Sequence, residues 1–200
     1  MDLAILLFDG VEELDFVGPF EVLATAAGFE TDLSVSLRTL DDVERVSASH
    51  GLRVEPDGTL DEVDPDLVVV PGGGWNDRAG AGAWAEAERG TIPDALARLH
   101  DGGTTVAGVC TGGMLISRAG LTEGRPAITH AGAVDDLRET DARVVDARVV
   151  DDGDVVTAGG VTAGLDLALH LVEREFGEGV ADSVAATLVH DRRGPVHVVD

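Results

Sequence analysis

The chain has 200 residues, 44% of them hydrophobic, so it can bury a core without disulfide or metal staples, and one domain over residues 1–200 is expected. Fourteen basic residues, all arginine, face 38 acidic ones, and the net charge of −24 excludes electrostatic binding to nucleic-acid backbones or anionic membrane surfaces. The single cysteine, Cys110, excludes an internal disulfide framework and a cysteine-rich zinc site.

Leu3–Phe8 is a short apolar run with no basic flank. It is too short for a signal segment or a membrane span, and it reads as a buried first strand of a cytoplasmic protein. Glu12–Ala27 has helical spacing, although Gly18 and Pro19 should distort or restart the helix. Gly28 is placed to end it, and Asp32–Thr39 reads as the next strand. Arg45–Ala48 and Leu52–Glu55 suggest a small ribbon. Leu67–Val70 is a strongly apolar strand that stops at Pro71-Gly72-Gly73-Gly74. A helix over Ile92–His100, a buried strand over Thr104–Val109 and a helix over Gly112–Ala119 follow. The five-residue run Ala-Arg-Val-Val-Asp occurs at 142 and again at 147, and Asp152-Gly153 then predicts a hairpin turn. Helices over Thr162–Phe176, with Thr162 as cap and Asp166 near the first turn, and over Gly179–His190 complete the chain. Strands alternating with helices predict an α/β protein with a mostly parallel sheet.

Gly108-Val109-Cys110-Thr111-Gly112 lies where a buried strand turns into a helix. This is the cysteine counterpart of a nucleophile elbow: the sharp turn strains the central residue and exposes its side chain, and small neighbours let the chain pack closely. The helix that follows should lower the thiol pKa. The glycines at 72–74 can bring bare amides to a ligand and, with the Thr111 amide, form an oxyanion hole. Asp9, Glu12, Glu13 and Asp15 lie close in sequence, and a carboxyl turned inward beside the thiol would shuttle protons.

These residues carry a family resemblance. Phe8-Asp9-Gly10-Val11-Glu12-Glu13-Leu14-Asp15, the Pro71–Gly74 run, the Cys110 elbow and Thr129-His130 resemble the ThiJ/PfpI superfamily over nearly the whole chain. The resemblance implies a flavodoxin-like three-layer α/β/α sandwich. Cys110-Thr111-Gly112, the Thr-His pair and Gly159-Gly160-Val161-Thr162-Ala163-Gly164 are similar to its isonitrile hydratase-like branch. That branch implies a homodimeric lyase with Cys110 as nucleophile, Asp15 as its acid/base partner and Thr111 beside them. It also implies Gly73 as an oxyanion amide, with Gly74, His130, Gly160 and Val161 at the pocket. The reaction implied is hydration of a small electrophile, an isonitrile giving an N-substituted formamide. Glyoxalase or deglycase chemistry on methylglyoxal uses the same residues, and a redox or metabolite sensor is the non-catalytic alternative. Thr111 stands where intracellular peptidases of the superfamily place histidine, which argues against proteolysis. The short tail after His190 holds no DNA-binding module, which argues against a transcription regulator.

His50, His100, His190 and His197 show no ligand spacing, so no metal is expected, and no cofactor is called for. His170, inside an apolar helix, reads as structural, and Trp75 and Trp84 as pocket wall or packing. The carboxylates are scattered along the chain, the composition expected of a protein held soluble in concentrated salt. Its melting temperature should therefore rise between low and molar salt, and a flat or falling trend would overturn that reading.

Overall fold

The first strand, β1 (Asp2–Leu6), leads into helix α1 (Glu13–Ala27) and strand β2 (Ser34–Thr39). The computed structural model describes residues 1–29 and 32–199. Next come a ribbon of β3 (Val46–Ser47) and β4 (Arg53–Val54), a short β5 (Gly58–Thr59) and the fully buried β6 (Leu67–Val70). Helices α2 (Ala83–Arg89) and α3 (Thr91–Asp101) then precede β7 (Thr105–Val109) and α4 (Gly112–Arg118). After β8 (Pro126–Ala127), α5 (Val134–Arg138) and β9 (Arg143–Val144) come the hairpin β10 (Val149–Asp151) and β11 (Val155–Ala158). Helices α6 (Ala163–Phe176) and α7 (Glu178–Leu188) and strand β12 (Val196–Val198) end the fold.

Eight strands form one sheet in the order β12-β10-β11-β7-β6-β1-β2-β5, and every pair is parallel except β10 with β11. Helices α1, α6 and α7 pack together on one face and α2, α3 and α4 on the other. This is the flavodoxin-like three-layer α/β/α sandwich expected from the sequence. Parallel strands covered on both faces read as near-continuous apolar runs, and β6 and residues 106–109 of β7 are apolar and fully buried. No described helix is long and apolar enough to cross a membrane.

The structure corrects several local expectations. Pro19 does not restart α1, which runs unbroken from Glu13 to Ala27. Gly18 lies flush against Leu165 and Pro19 against Gly164, so packing on α6 offsets the hydrogen bond that Pro19 cannot make. Thr162 begins α6 without a side-chain cap; its hydroxyl accepts from Arg148 instead. The duplicated run divides: its first copy supplies β9 beside β8, and its second enters the main sheet as β10. His170 is structural, its Nε2 lying 2.6 Å from Oδ2 of buried Asp151. Asp166 is buried by side-chain bonds to Arg148 and His190 as much as by its place near a helix start.

Candidate active site

The strand-to-helix turn forces Cys110 into a left-handed conformation, φ 57°. Its amide donates to the carbonyls of Ala158 (3.2 Å) and Gly159 (2.8 Å), which ties the elbow to the end of β11. Its carbonyl accepts from the Thr129 hydroxyl at 2.8 Å. Thr129 thus holds the strained residue, a role the Thr-His pair did not reveal in the sequence. Glycine is required at 112, because a Cβ there would overlap the Val70 carbonyl.

Asp15 reaches the same point from α1. Its side chain is completely buried, and Oδ2 accepts from the Gly72 amide at 3.0 Å. Oδ1 has no conventional hydrogen-bond partner, and the carboxyl interacts with the Cys110 sulfur. Burial pushes Asp15 up to about 7 from its usual 3.8, and the charge of Glu12 adds to the rise. With Oδ2 bonded to an amide, a proton on the carboxyl belongs on Oδ1.

The thiol does not behave as the sequence suggested. Burial and then the Asp15 charge push Cys110 up to about 12, against the pull of the Val161 and Thr111 amides on the sulfur. The seven-residue α4 does not outweigh those two effects. The physical unit is the pair. Between about 7 and about 12 it holds one proton, on sulfur or on carboxyl.

The glycine run is also corrected. The Gly73 amide donates to Thr111 Oγ1 at 3.0 Å and is not free for an oxyanion. At φ 119° a Cβ on Gly73 would strike the backbone of Gly10 and Glu12, and one on Gly74 would meet the Ala81 carbonyl. The run is a wedge between α1, Thr111 and the loop before α2. The amides directed at the sulfur belong to Thr111 and Val161. Val161 sits at φ 39°, strained for a β-branched residue.

His130 comes up beside this segment. Its ring packs against Gly160, where a Cβ would lie 2.6 Å from Cδ2, and its Nδ1 accepts from the Gly132 amide at 3.0 Å. That bond assigns the neutral ring as the Nε2–H tautomer. Glu12 and Glu13 do not join Asp15; they bond Ser49, and Glu13 also bonds His50. Those two glutamates and His50 are a group that the sequence spacing had not suggested, its ligand atoms within 4.8 Å of one another. Trp75 and Trp84 pack edge to face at 5.0 Å, and Trp75 Nε1 donates to Asp136 at 2.6 Å. Packing, rather than pocket wall, accounts for both contacts.

Raising the pKa of a buried carboxyl costs stability once it ionises. The fold prefers neutral Asp15, so the penalty grows as pH rises from about 4 and is complete above about 7. The shift corresponds to roughly 4 kcal/mol at most. Asp15→Asn should therefore melt higher than wild type at pH 8, with the gap closing toward pH 4. An unchanged or lowered melting temperature at pH 8 would contradict the buried, strained state of this carboxyl.

Residues 1–174 match the DJ-1/PfpI family. Isonitrile hydratase of Pseudomonas putida is 35% identical over 189 residues, 94% of this chain and 78% of that protein. The HTH-type transcriptional regulator CdhR of Pseudomonas aeruginosa is 32% identical over 197 residues, 97% of this chain but 56% of the regulator. Among solved structures, Drosophila melanogaster DJ-1beta superposes with a TM-score of 0.82 at 25% identity, covering 95% of this chain and 98% of that one.

Proposed function

The chain belongs to the DJ-1/PfpI family, and from that premise we propose that it is a cysteine-dependent lyase that hydrates a small electrophile, an isonitrile to an N-substituted formamide. The observation that carries this reading is the pairing of Cys110, held at φ 57° under two amides, with a buried carboxyl whose pKa is about 7. The similarity to isonitrile hydratase supports the choice of substrate. Cys110 is only 6% exposed, and the slim, linear isonitrile group suits such a restricted approach.

In this mechanism the Cys110 thiolate attacks the terminal isonitrile carbon, and protonated Asp15 delivers its proton to that carbon, giving a thioimidate. The Asp15 carboxylate then takes a proton from water as the oxygen adds to the carbon, and passes it to nitrogen. When the tetrahedral adduct collapses, the carbon–sulfur bond breaks and the hydroxyl proton returns to Asp15. The thiolate and the acid are both regenerated. The Thr111 and Val161 amides stabilise the sulfur's charge, and His130 Nε2–H offers a donor at the pocket side.

Product analysis tests this. Cyclohexyl isocyanide should yield N-cyclohexylformamide, and methylglyoxal should yield no lactate. Lactate without formamide would put glyoxalase chemistry at the same residues. Silence in both assays, with selective peroxide oxidation of Cys110, would make the domain a sensor. The same reading makes the protein a homodimer in a high-salt cytoplasm; half-exposed Val17 on α1 and Leu52 beside β4 are apolar groups such a contact would cover.

A further inference from the structure

The Val161 amide on the sulfur needs a support that the elbow does not supply. Strand β11 ends at Ala158 and α6 begins at Ala163, and residues 159–162 cross between them. Gly159 and Gly160 have no side chain to anchor, Val161 is half-buried and Thr162 is exposed. Yet Val161 is kept at φ 39°, where a β-branched residue is strained, with its amide bonded to the Cys110 sulfur. A backbone in such a conformation relaxes unless its surroundings fix it.

Arg148, the residue before β10, holds this segment at both ends. Its carbonyl accepts from the Gly159 amide at 3.0 Å. Its Nη2 donates to Thr162 Oγ1 at 3.1 Å. Apart from the Cys110 sulfur, no other side chain among the described residues hydrogen-bonds residues 159–162. The guanidinium is itself fixed. Its Nε donates to Oδ2 of Asp166, which is only 4% exposed. Asp166 Oδ1 bonds His190 Nε2 at 2.9 Å and accepts from the Arg193 amide at 3.1 Å. The planar fork of Arg148 thus runs from a buried carboxylate, bonded on both oxygens, to the segment that carries the amide.

We propose that Arg148 is a positioning residue for the nucleophile: it holds the 159–162 segment so that the Val161 amide stays directed at the Cys110 sulfur. This rests on the reading of Cys110 as the nucleophile and extends it to a residue that touches no reacting atom. Two substitutions separate grip from charge. Thr162→Val removes the acceptor, keeps the pair between Arg148 and Asp166 and, at an exposed position, leaves folding intact. Arg148→Met removes grip and charge together. Thiolate absorbance is titrated against pH in Asp15→Asn protein carrying each substitution, with no substrate present. Losing one amide bond to a charged sulfur should move the midpoint about one pH unit higher in both. With Asp15 in place, kcat for formamide formation should fall about tenfold in both, with KM unchanged. An unmoved midpoint in folded Thr162→Val would overturn the proposal, even if Arg148→Met raised it, because charge alone would then be acting. A raised midpoint in both, in a protein that forms no formamide, would uphold the role of Arg148 and remove only the isonitrile reading.

Discussion

Cys110→Ala loses hydration of cyclohexyl isocyanide by at least about 10⁴-fold, the scale on which removal of a nucleophile disables a catalytic unit. The loss is chemical rather than structural. Cys110 is a small buried side chain, and truncating it to alanine costs on the order of 1 kcal/mol, so the variant still folds. The elbow does not depend on the sulfur. Backbone bonds to Ala158 and Gly159 and the Thr129 hydroxyl hold residue 110 in place, and all of them survive the substitution. Cys110→Ser keeps the shape more closely and should be almost as inactive, because a hydroxyl beside Asp15 does not ionise as a thiol does. Near-normal turnover by a well-folded Cys110→Ala would remove the covalent mechanism.

Asp15→Asn is the second large effect. Asparagine is nearly isosteric, its carbonyl can still accept from the Gly72 amide, and the acid is gone. General acid–base catalysis is worth about 10²–10⁴-fold, and that is the expected fall in kcat. The pH profile separates this role from a packing role. Below about 7 the wild-type pair holds two protons and the sulfur is a neutral thiol. As pH rises through about 7 one proton leaves, and the thiolate with protonated Asp15 becomes one of the two arrangements of the remaining proton. Wild-type kcat/KM should therefore climb through about pH 7, and the variant should lack that inflection. In the variant no carboxylate repels the thiolate, so thiolate absorbance should appear below the wild-type value of about 12. A variant with wild-type kcat and an unchanged inflection would show that Asp15 does not move the proton.

The same substitution is expected to stabilise the protein and to disable it. Burying a carboxyl at a helix start, beside a sulfur and with one oxygen unbonded, makes sense for proton transfer and works against folding.

The elbow was legible in the sequence because sterics leave it few alternatives. A buried strand, small residues at 108 and 112 and a helix immediately after fix how the chain must turn at Cys110. The proton partner was harder to read. Asp9, Glu12, Glu13 and Asp15 look alike in sequence, and only the angle of α1 buries Asp15 while Glu12 and Glu13 meet Ser49. Glycines at 72–74 suggested free amides, but a spacing cannot show that the Thr111 hydroxyl, 38 residues away, accepts a hydrogen bond from the Gly73 amide. The lowered thiol was expected from one local effect, the following helix. Burial and a carboxyl from α1 are tertiary effects, and here they are larger. Helix α2 was missed because it is seven residues long and follows a glycine-rich loop.

Intact-protein and peptide mass spectrometry on wild type, acid-quenched during turnover of cyclohexyl isocyanide, tests the central claim most directly. The account predicts a mass gain of one isonitrile molecule, mapped to the peptide containing Cys110 and absent from Cys110→Ala. Steady formamide production with Cys110 unmodified at every quench time, and equally fast in Cys110→Ala, would contradict it.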